Sequence, residues 1–231
     1  PPRMPRALTF DLKKAREIVE EALKSGGTLL TEVESKALLN AYGIPVNPTE
    51  VAENEDQALS LAKSLGYPVA MKIHSRDISH KSDAGGVQLN LRSEEDVQNA
   101  YREILKNAES YDPKAEILGV SIQPMAGPYD YEVILGSKRD PLFGPVILFG
   151  MGGIMTEILK DQAIALPPLN RLLARKLIEN TKVYRMLKGY RNRPPARLDL
   201  LEETLIRLSQ LVSDFPEIVE LDINPMILGG D

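Results

Sequence analysis

The chain has 231 residues, a net charge of −5, 43% hydrophobic and 26% charged residues, and no cysteine. That balance suits a globular protein long enough to bury a core. It excludes disulfides, thiolate catalysis and Cys-ligated zinc, and it disfavours general nucleic-acid binding, which takes a surplus of Lys and Arg to displace counterions.

The amino-terminal PPRMPRALTF has basic residues but no apolar stretch of secretory length behind it. No uninterrupted apolar run reaches the ~18 residues of a membrane-spanning helix, so a cytoplasmic protein with no membrane partner is expected. Helical periodicity comes first along the chain. In DLKKAREIVEEALKSGG, Leu12, Ala15, Ile18, Val19, Ala22 and Leu23 recur at helical spacing and the pattern stops at Gly26-Gly27. TEVESKALLNAYG opens on Thr31 and Glu34, a capping-box pair, and closes at Gly43. NEDQALSLAKSLG repeats the design with Asn54, Gln57 and Gly66.

The period then changes to two. PVAMKI (68–73) and VQLNL (87–91) are predicted strands flanking the loop HSRDISHKSDAGG. SEEDVQNAYREILKNA (93–108) is a predicted amphipathic helix with Val97, Ala100, Tyr101, Ile104 and Leu105 inward. ILGVSIQPM (117–125), YEVILGS (131–137), PVILFG (145–150) and QAIALP (162–167) follow as strands, then two helices, LNRLLARKLIEN and DLLEETLIRLSQLVSDF. IVELDIN (218–224) ends the pattern as a strand. Helices alternate irregularly with strands that follow one another by hairpin, which is α+β rather than repeated βαβ. The weakest join is SYDPKAE (110–116), so lobes of 1–116 and 117–231 are expected.

Several residues carry candidate chemistry. No GxxxxGK[ST] motif occurs, and Gly150-Met-Gly152-Gly153 lacks the last glycine of a dinucleotide fingerprint, Met155 standing in its place. That glycine turn fits either phosphate held on backbone N–H groups or a tight turn at positive φ. On the strand 68–73, Val69, Met71 and Ile73 share one face, and Ala70 and Lys72 the other. An ammonium there needs an anion, either a carboxylate or a phosphate. Glu220, Asp222 and Asn224 share one face of the last strand, as a Mg²⁺ site or a solvated edge would require. KVYRMLKGYRNRPPAR (182–197) is basic with two tyrosines, which fits an RNA patch, a phosphate-facing loop or a solvated one.

The only histidines are His74 and His80, both in the loop after the Lys72 strand. Their spacing matches no helical metal motif, and the nearby Ser and Asp do not make a triad, which is defined in space. Neutral imidazole is a competent phosphoryl acceptor, with Lys81, Ser82 and the backbone of Gly85-Gly86 available to hold phosphoryl oxygens.

Taken in order, GYPVAMKIHSRDISHKSDAGGVQLNL, ILGVSIQPM, YEVILGSKRDPLFGPVILFGMGGIMTEILKD, LKGYRNRPPA and ELDINP resemble the ATP-grasp β subunit of ADP-forming acetate–CoA ligases, over about residues 11–228. The resemblance implies an ATP-grasp fold of two α+β lobes with the nucleotide between them. It implies interconversion of acyl-CoA, ADP and phosphate with acid, CoA and ATP, and a CoA-binding α subunit in an α2β2 heterotetramer. It also implies that His80, in His-Lys-Ser-Asp, relays the phosphoryl group on a loop hinged at Gly85-Gly86, with His74 a neighbour outside the motif. Lys72 then meets the nucleotide phosphates, Gln123 to Met125 line adenine, and Glu132 is the acid after that hinge. Gly150, Gly152 and Gly153 form the phosphate-side turn, and Asp222 and Asn224, with Glu157, form the Mg²⁺ end. Where the family usually carries a further strand with Asp-Ala-Arg, this sequence reads ILGGD, so Asp231, a longer tail or the partner would complete the metal shell. A succinyl-CoA synthetase-type β subunit and an ATP-grasp carboxylate ligase without phosphohistidine are the rival readings.

Overall fold

The computed structural model describes residues 8–24, 26, 28–47, 49–78, 81–125, 131–152, 161–190 and 193–229. The helices are α1 (Leu12–Lys24), α2 (Glu32–Ala41), α3 (Glu55–Leu65), α4 (Glu94–Tyr111), α5 (Arg171–Glu179), α6 (Val183–Leu187) and α7 (Leu198–Asp214). The strands are β1 (Glu50–Ala52), β2 (Val69–Ser75), β3 (Val87–Leu91), β4 (Ile117–Pro124), β5 (Tyr131–Asp140), β6 (Gly144–Met151), β7 (Gln162–Ala165) and β8 (Glu220–Leu228). Two four-stranded antiparallel sheets result, in the orders β1-β4-β2-β3 and β7-β6-β5-β8. The α+β class expected from the sequence is the one observed. Among the described residues no helix is long and apolar enough to cross a membrane.

The chain divides into two compact units that are interleaved in sequence. One comprises Pro1–Glu20, Ala37–Val46 and Gly127–Asp231, the other Glu21–Lys36 and Asn47–Ala126. This differs from the division at 116/117 expected from the sequence, because β4 pairs with both β1 and β2 and so belongs to the first sheet. A polar linker was the visible signal, and strand partners 42 or more residues apart were not.

In the unit built on the first sheet, β2 alternates as its sequence requires. Val69, Met71 and Ile73 enter a core with Val120 and Ile122 of β4, Ala58 and Ala62 of α3, and Val97, Ala100 and Ile104 of α4. The opposite face collects polar groups, since Lys72 lies opposite Ser121 and Ala70 opposite Gln123 in the β2–β4 ladder. Helix α3 starts on Asn54, whose side chain accepts the Gln57 N–H at 2.9 Å, and α4 starts on Ser93, which accepts from Asp96 at 3.1 Å. The three-residue β1 was not predicted, being too short to show a period.

In the other unit, α5 and α7 pack against the sheet β7-β6-β5-β8. A cluster of Phe10, Tyr42 and Phe215 ties the start of the chain to the end of α7: Phe10 stacks on Tyr42 at 4.8 Å and the Tyr42 hydroxyl donates to Asp214 at 2.7 Å. Strand β8 runs on past Asn224, where the sequence expectation ended it. It accommodates Pro225 with a break in register between Ile223 and Met226, as an edge strand can. The buried Asp161 carboxylate accepts the Lys182 and Val183 N–H groups, each at 2.6 Å, and so fixes the start of α6. That helix went unpredicted because its basic residues read as a surface patch.

Gly119 shows how closely β4 approaches the chain beside it. Its φ is +129°, and a Cβ there would stand 2.2 Å from the Ala52 carbonyl oxygen. Gly144, at φ +76° in the β5–β6 turn, has no atom within 4 Å of such a Cβ. Gly119→Ala is expected to lower stability by about 2–5 kcal/mol, from backbone strain and overpacking together, and Gly144→Ala by only about 1–2 kcal/mol. Urea midpoints of the two variants check this, and equal shifts would contradict it.

Candidate active site

Helix α2 begins with the expected capping box: Thr31 N–H donates to the Glu34 carboxylate at 2.8 Å and Glu34 N–H donates to Thr31 Oγ1 at 3.2 Å. This fixes the first turn and sets Glu32 and Lys36 on one face, four residues apart. Around the Glu32 carboxylate stand the ammonium groups of Lys81 at 3.1 Å, Lys36 at 3.3 Å and Lys72 at 3.8 Å. Lys36 also donates to the Asn47 carbonyl at 3.3 Å, to Gln123 Oε1 at 3.4 Å and to Thr49 Oγ1. Beside the cluster, Arg76 pairs with Glu34 at 2.8 Å.

The sequence left the anion facing Lys72 open between carboxylate and phosphate. A carboxylate is present, but it is shared by three lysines, so the group keeps a surplus of positive charge on a polar sheet face. The Glu32 side chain is only 17% exposed. Burial alone would raise its pKa, but the charges of Lys72, Lys81 and Lys36 and the Lys81 hydrogen bond outweigh burial and hold it at about 2. Burial pushes the Lys36 pKa down, with Lys72 and Lys81 adding to that and Glu32 opposing it. His74, nine-tenths buried, is likewise lowered by burial and then by Lys81, and is neutral at pH 7.

Ser79 and His80 lie outside the described residues. The segment after them is a packed turn: Gly86 N–H donates to the Lys81 carbonyl at 2.8 Å, Ile73 N–H to the Gly86 carbonyl at 2.7 Å, and Asn107 to the Gly85 carbonyl at 3.1 Å. A Cβ on Gly86 would meet Ile73 Cγ2 at 2.6 Å, and one on Gly85 would meet Asn107 at 2.8 Å. The glycine pair here serves close packing, which lends no support to a hinge at these residues. Ser82 is exposed, and its carbonyl accepts the Gly85 N–H at 3.1 Å.

The remaining expected residues fall on two sheets. Gln123 sits in the lysine cluster, and Met125 is held by its N–H to the Pro68 carbonyl at 3.1 Å. In the other unit, Glu132 and Gly136 share a face of β5, and Gly136 lies opposite Asp222 and Ile134 opposite Gly150 in the ladders. Gly150 and Gly152 do not adopt positive φ. They allow backbone approach, since a Cβ would stand 2.4 Å from the Asp161 carbonyl and 2.9 Å from the Glu132 backbone respectively. Gly153, Glu157 and Asp231 lie outside the described residues. Asp222 reaches solvent, yet surrounding protein displaces part of its hydration and raises its pKa, with Glu220 next in effect. The two neighbouring carboxylates suit Mg²⁺, which needs only one or two protein ligands. Among the described residues no cluster of three or more His, Asp or Glu could form a fuller metal cage. Among the described residues of the basic segment, Lys188 lies over Tyr184, Arg193 over Tyr131, and Arg197 pairs with Asp199.

Glu32, Lys36 and Thr49 were not singled out in the sequence. A Glu–Lys pair four apart is the ordinary pattern of a solvated helix face, and nothing local says that this one is buried. The depressed Glu32 pKa carries a pH signature. A carboxylate lowered on folding contributes stability above its unfolded pKa of 4.5 and loses it as pH falls toward about 2, to a ceiling of about 3 kcal/mol that the Lys36 burial reduces. The stability gap between the protein and Glu32→Gln is therefore expected to be constant from pH 7 to 5 and to close between pH 4.5 and 2. Denaturant titrations at each pH measure it, and a gap unchanged at pH 2.5 would refute the arrangement.

Comparison with known proteins identifies the family and the fold. A profile of the ATP-grasp domain matches residues 21–231. The chain is 44% identical over 218 residues to the acetate–CoA ligase (ADP-forming) I β subunit of Pyrococcus furiosus, covering 94% of this chain and 93% of that one. It is 45% identical to acetate–CoA ligase (ADP-forming) I of Archaeoglobus fulgidus over 95% of this chain, and there it spans about a third of the relative's length, 32%. Acetyl-coenzyme A synthetase 1 of Candidatus Korarchaeum cryptofilum, solved with coenzyme A and Ca-AMPCP, superposes with a TM-score of 0.87 at 39% identity, with 94% of each chain covered. The same enzyme with Mg-AMPPCP has its phosphohistidine segment pointing towards the nucleotide-binding site (TM-score 0.78, 36% identity, 93% of each chain). The two antiparallel sheets are those of an α+β ATP-grasp fold, and the chain belongs to the ATP-grasp β-subunit family of the ADP-forming acetate–CoA ligases.

Proposed function

We propose that this chain is the nucleotide-handling subunit of an ADP-forming acyl-CoA ligase, which interconverts acyl-CoA, ADP and phosphate with acid, CoA and ATP. The observation that carries this is the surplus of ammonium charge at Lys36 of α2 and at Lys72 and Lys81, which lie on the strand and loop that flank His80 in sequence. A surplus of fixed positive charge at a partly open face suits the phosphates of a nucleotide. Phosphoryl transfer is largely a matter of positioning and of neutralising phosphate charge. The relative that is three times longer, and the β-subunit name of the other, support a CoA-binding partner, here an α chain in an α2β2 assembly. A cytoplasmic location fits an enzyme that draws on ATP and CoA pools.

In the ATP-consuming direction an imidazole nitrogen of His80 attacks the γ-phosphorus of ATP. The N–P bond forms as the bond to the β–γ bridging oxygen breaks, and ADP leaves. In the other direction ADP takes the phosphoryl group back from His80. Lys72 offsets charge on the nucleotide phosphates throughout, and Lys81, next in sequence to His80, offsets charge on the transferred group. Gln123 to Met125 line adenine, Glu132 follows them, and Gly150, Gly152 and Gly153 face the phosphates. Asp222 and Asn224, with Glu157, would hold Mg²⁺, which supplies further neutralisation of phosphate charge when bound. His74, buried and neutral, stays outside the transfer.

The test is uptake of acid-labile label from γ-labelled ATP with Mg²⁺. His80→Asn is expected to abolish it, and His74→Asn to retain at least about half. Full labelling of His80→Asn would overturn the assignment. Absence of label from the unaltered protein would favour a carboxylate ligase. A panel of acids assayed with the partner subunit separates acetate from succinate specificity.

A further inference from the structure

We propose that Glu32 is an internal counter-ion that nucleotide phosphate must displace, with Lys36 as the partner to which it retreats. The proposal rests on the reading of Lys72 as a phosphate ligand. Three features of the cluster support it. First, Lys72 is the most loosely held of the three lysines, at 3.8 Å from Glu32, beyond hydrogen-bonding distance. Lys81 is held by one contact of 3.1 Å to the same carboxylate. A phosphate oxygen reaching either ammonium therefore competes with a single shared carboxylate charge.

Second, Lys36 does not depend on Glu32 for its place. It also donates to Asn47, Thr49 and Gln123, and it lies on the same helix as Glu32, one turn away. When phosphate takes Lys72 and Lys81, Glu32 keeps Lys36, so the exchange does not leave a buried carboxylate without a partner, which would be strongly unfavourable. Third, Glu32 is buried enough that its charge is weakly screened, so it repels any phosphate bound to the same ammonium groups. In the free protein Glu32 keeps three like charges converged. In the bound protein its negative charge weakens the grip on nucleotide and so speeds release.

The test is ADP binding to the holoenzyme by calorimetry, without and with Mg²⁺. Glu32→Gln is expected to tighten ADP about tenfold. Glu32→Asp, which draws the charge back towards the helix, is expected to tighten it less. Lys36→Gln removes the place of retreat and is expected to weaken ADP several-fold. The double variant Glu32→Gln/Lys36→Gln is expected to bind ADP more tightly than Lys36→Gln, since the place of retreat matters only while Glu32 carries charge. In turnover, Glu32→Gln is expected to lower KM for ADP and kcat together, which a merely structural role would not do. If Glu32→Gln does not fold, Glu32→Asp and Lys36→Gln give the same two signs. Weaker ADP binding in Glu32→Gln or Glu32→Asp overturns the proposal, as does a double variant as weak as Lys36→Gln. Lys72→Gln separates the two levels. If it leaves ADP affinity unchanged, the reading of Lys72 fails; if it weakens ADP and Glu32→Gln weakens it too, the counter-ion proposal alone fails.

Discussion

A carboxylate taken out of water must be met by positive charge, and at Glu32 that requirement links much of one unit. The three ammonium groups come from the second turn of α2, from the middle of β2 and from the turn that follows it. Each depends on something further away. The helix start depends on the Thr31–Glu34 capping box, the Lys72 position on the β2–β4 ladder, and the Lys81 position on the close contact of Gly86 with Ile73. The partners are spread over some 50 residues of chain, from 32 to 81, so the cluster exists only when the unit is folded.

The two faces of β2 divide the labour. Val69, Met71 and Ile73 are fully buried against α3 and α4 and hold the strand in place, while Lys72 and His74 face the other way. The apolar face supplies the rigidity that a charged face cannot, because ammonium groups repel one another and cannot pack. The second sheet uses the same principle differently. Glycines at 136, 150 and 152 remove side chains where backbone must come close, Gly136 directly opposite Asp222.

Most of the elements were legible in the sequence because their signals are local. The capping residues Thr31 and Asn54, the period-two runs around Lys72, and the stop at Gly66 all appear where the residues put them. The misses share a cause. The strand Glu50–Ala52 is too short to have a period, and Val183–Leu187 is capped by Asp161, twenty-one residues earlier, so its helix signal lies in tertiary structure. The site divides the same way. Lys72 stood out because a charge in an apolar strand is locally anomalous. Glu32 and Lys36 did not, because burial of a helix face depends on what packs over it, and the lobe boundary failed because strand pairing is non-local.

The alternation of the two units along the chain has a consequence for how the molecule can be taken apart. The path leaves and re-enters each unit, passing from one to the other after Glu20, Lys36, Val46 and Ala126. No single cut in the gene yields either unit from one uninterrupted piece, and helices α1 and α2 each contribute residues to both. Each unit is therefore completed by a segment that arrives from elsewhere in the sequence, and ribosomal synthesis cannot finish the Tyr42 cluster until α7 has emerged. An insertion that lengthens one unit must leave those four passages intact, which confines tolerated growth to the hairpin tips and loops between them.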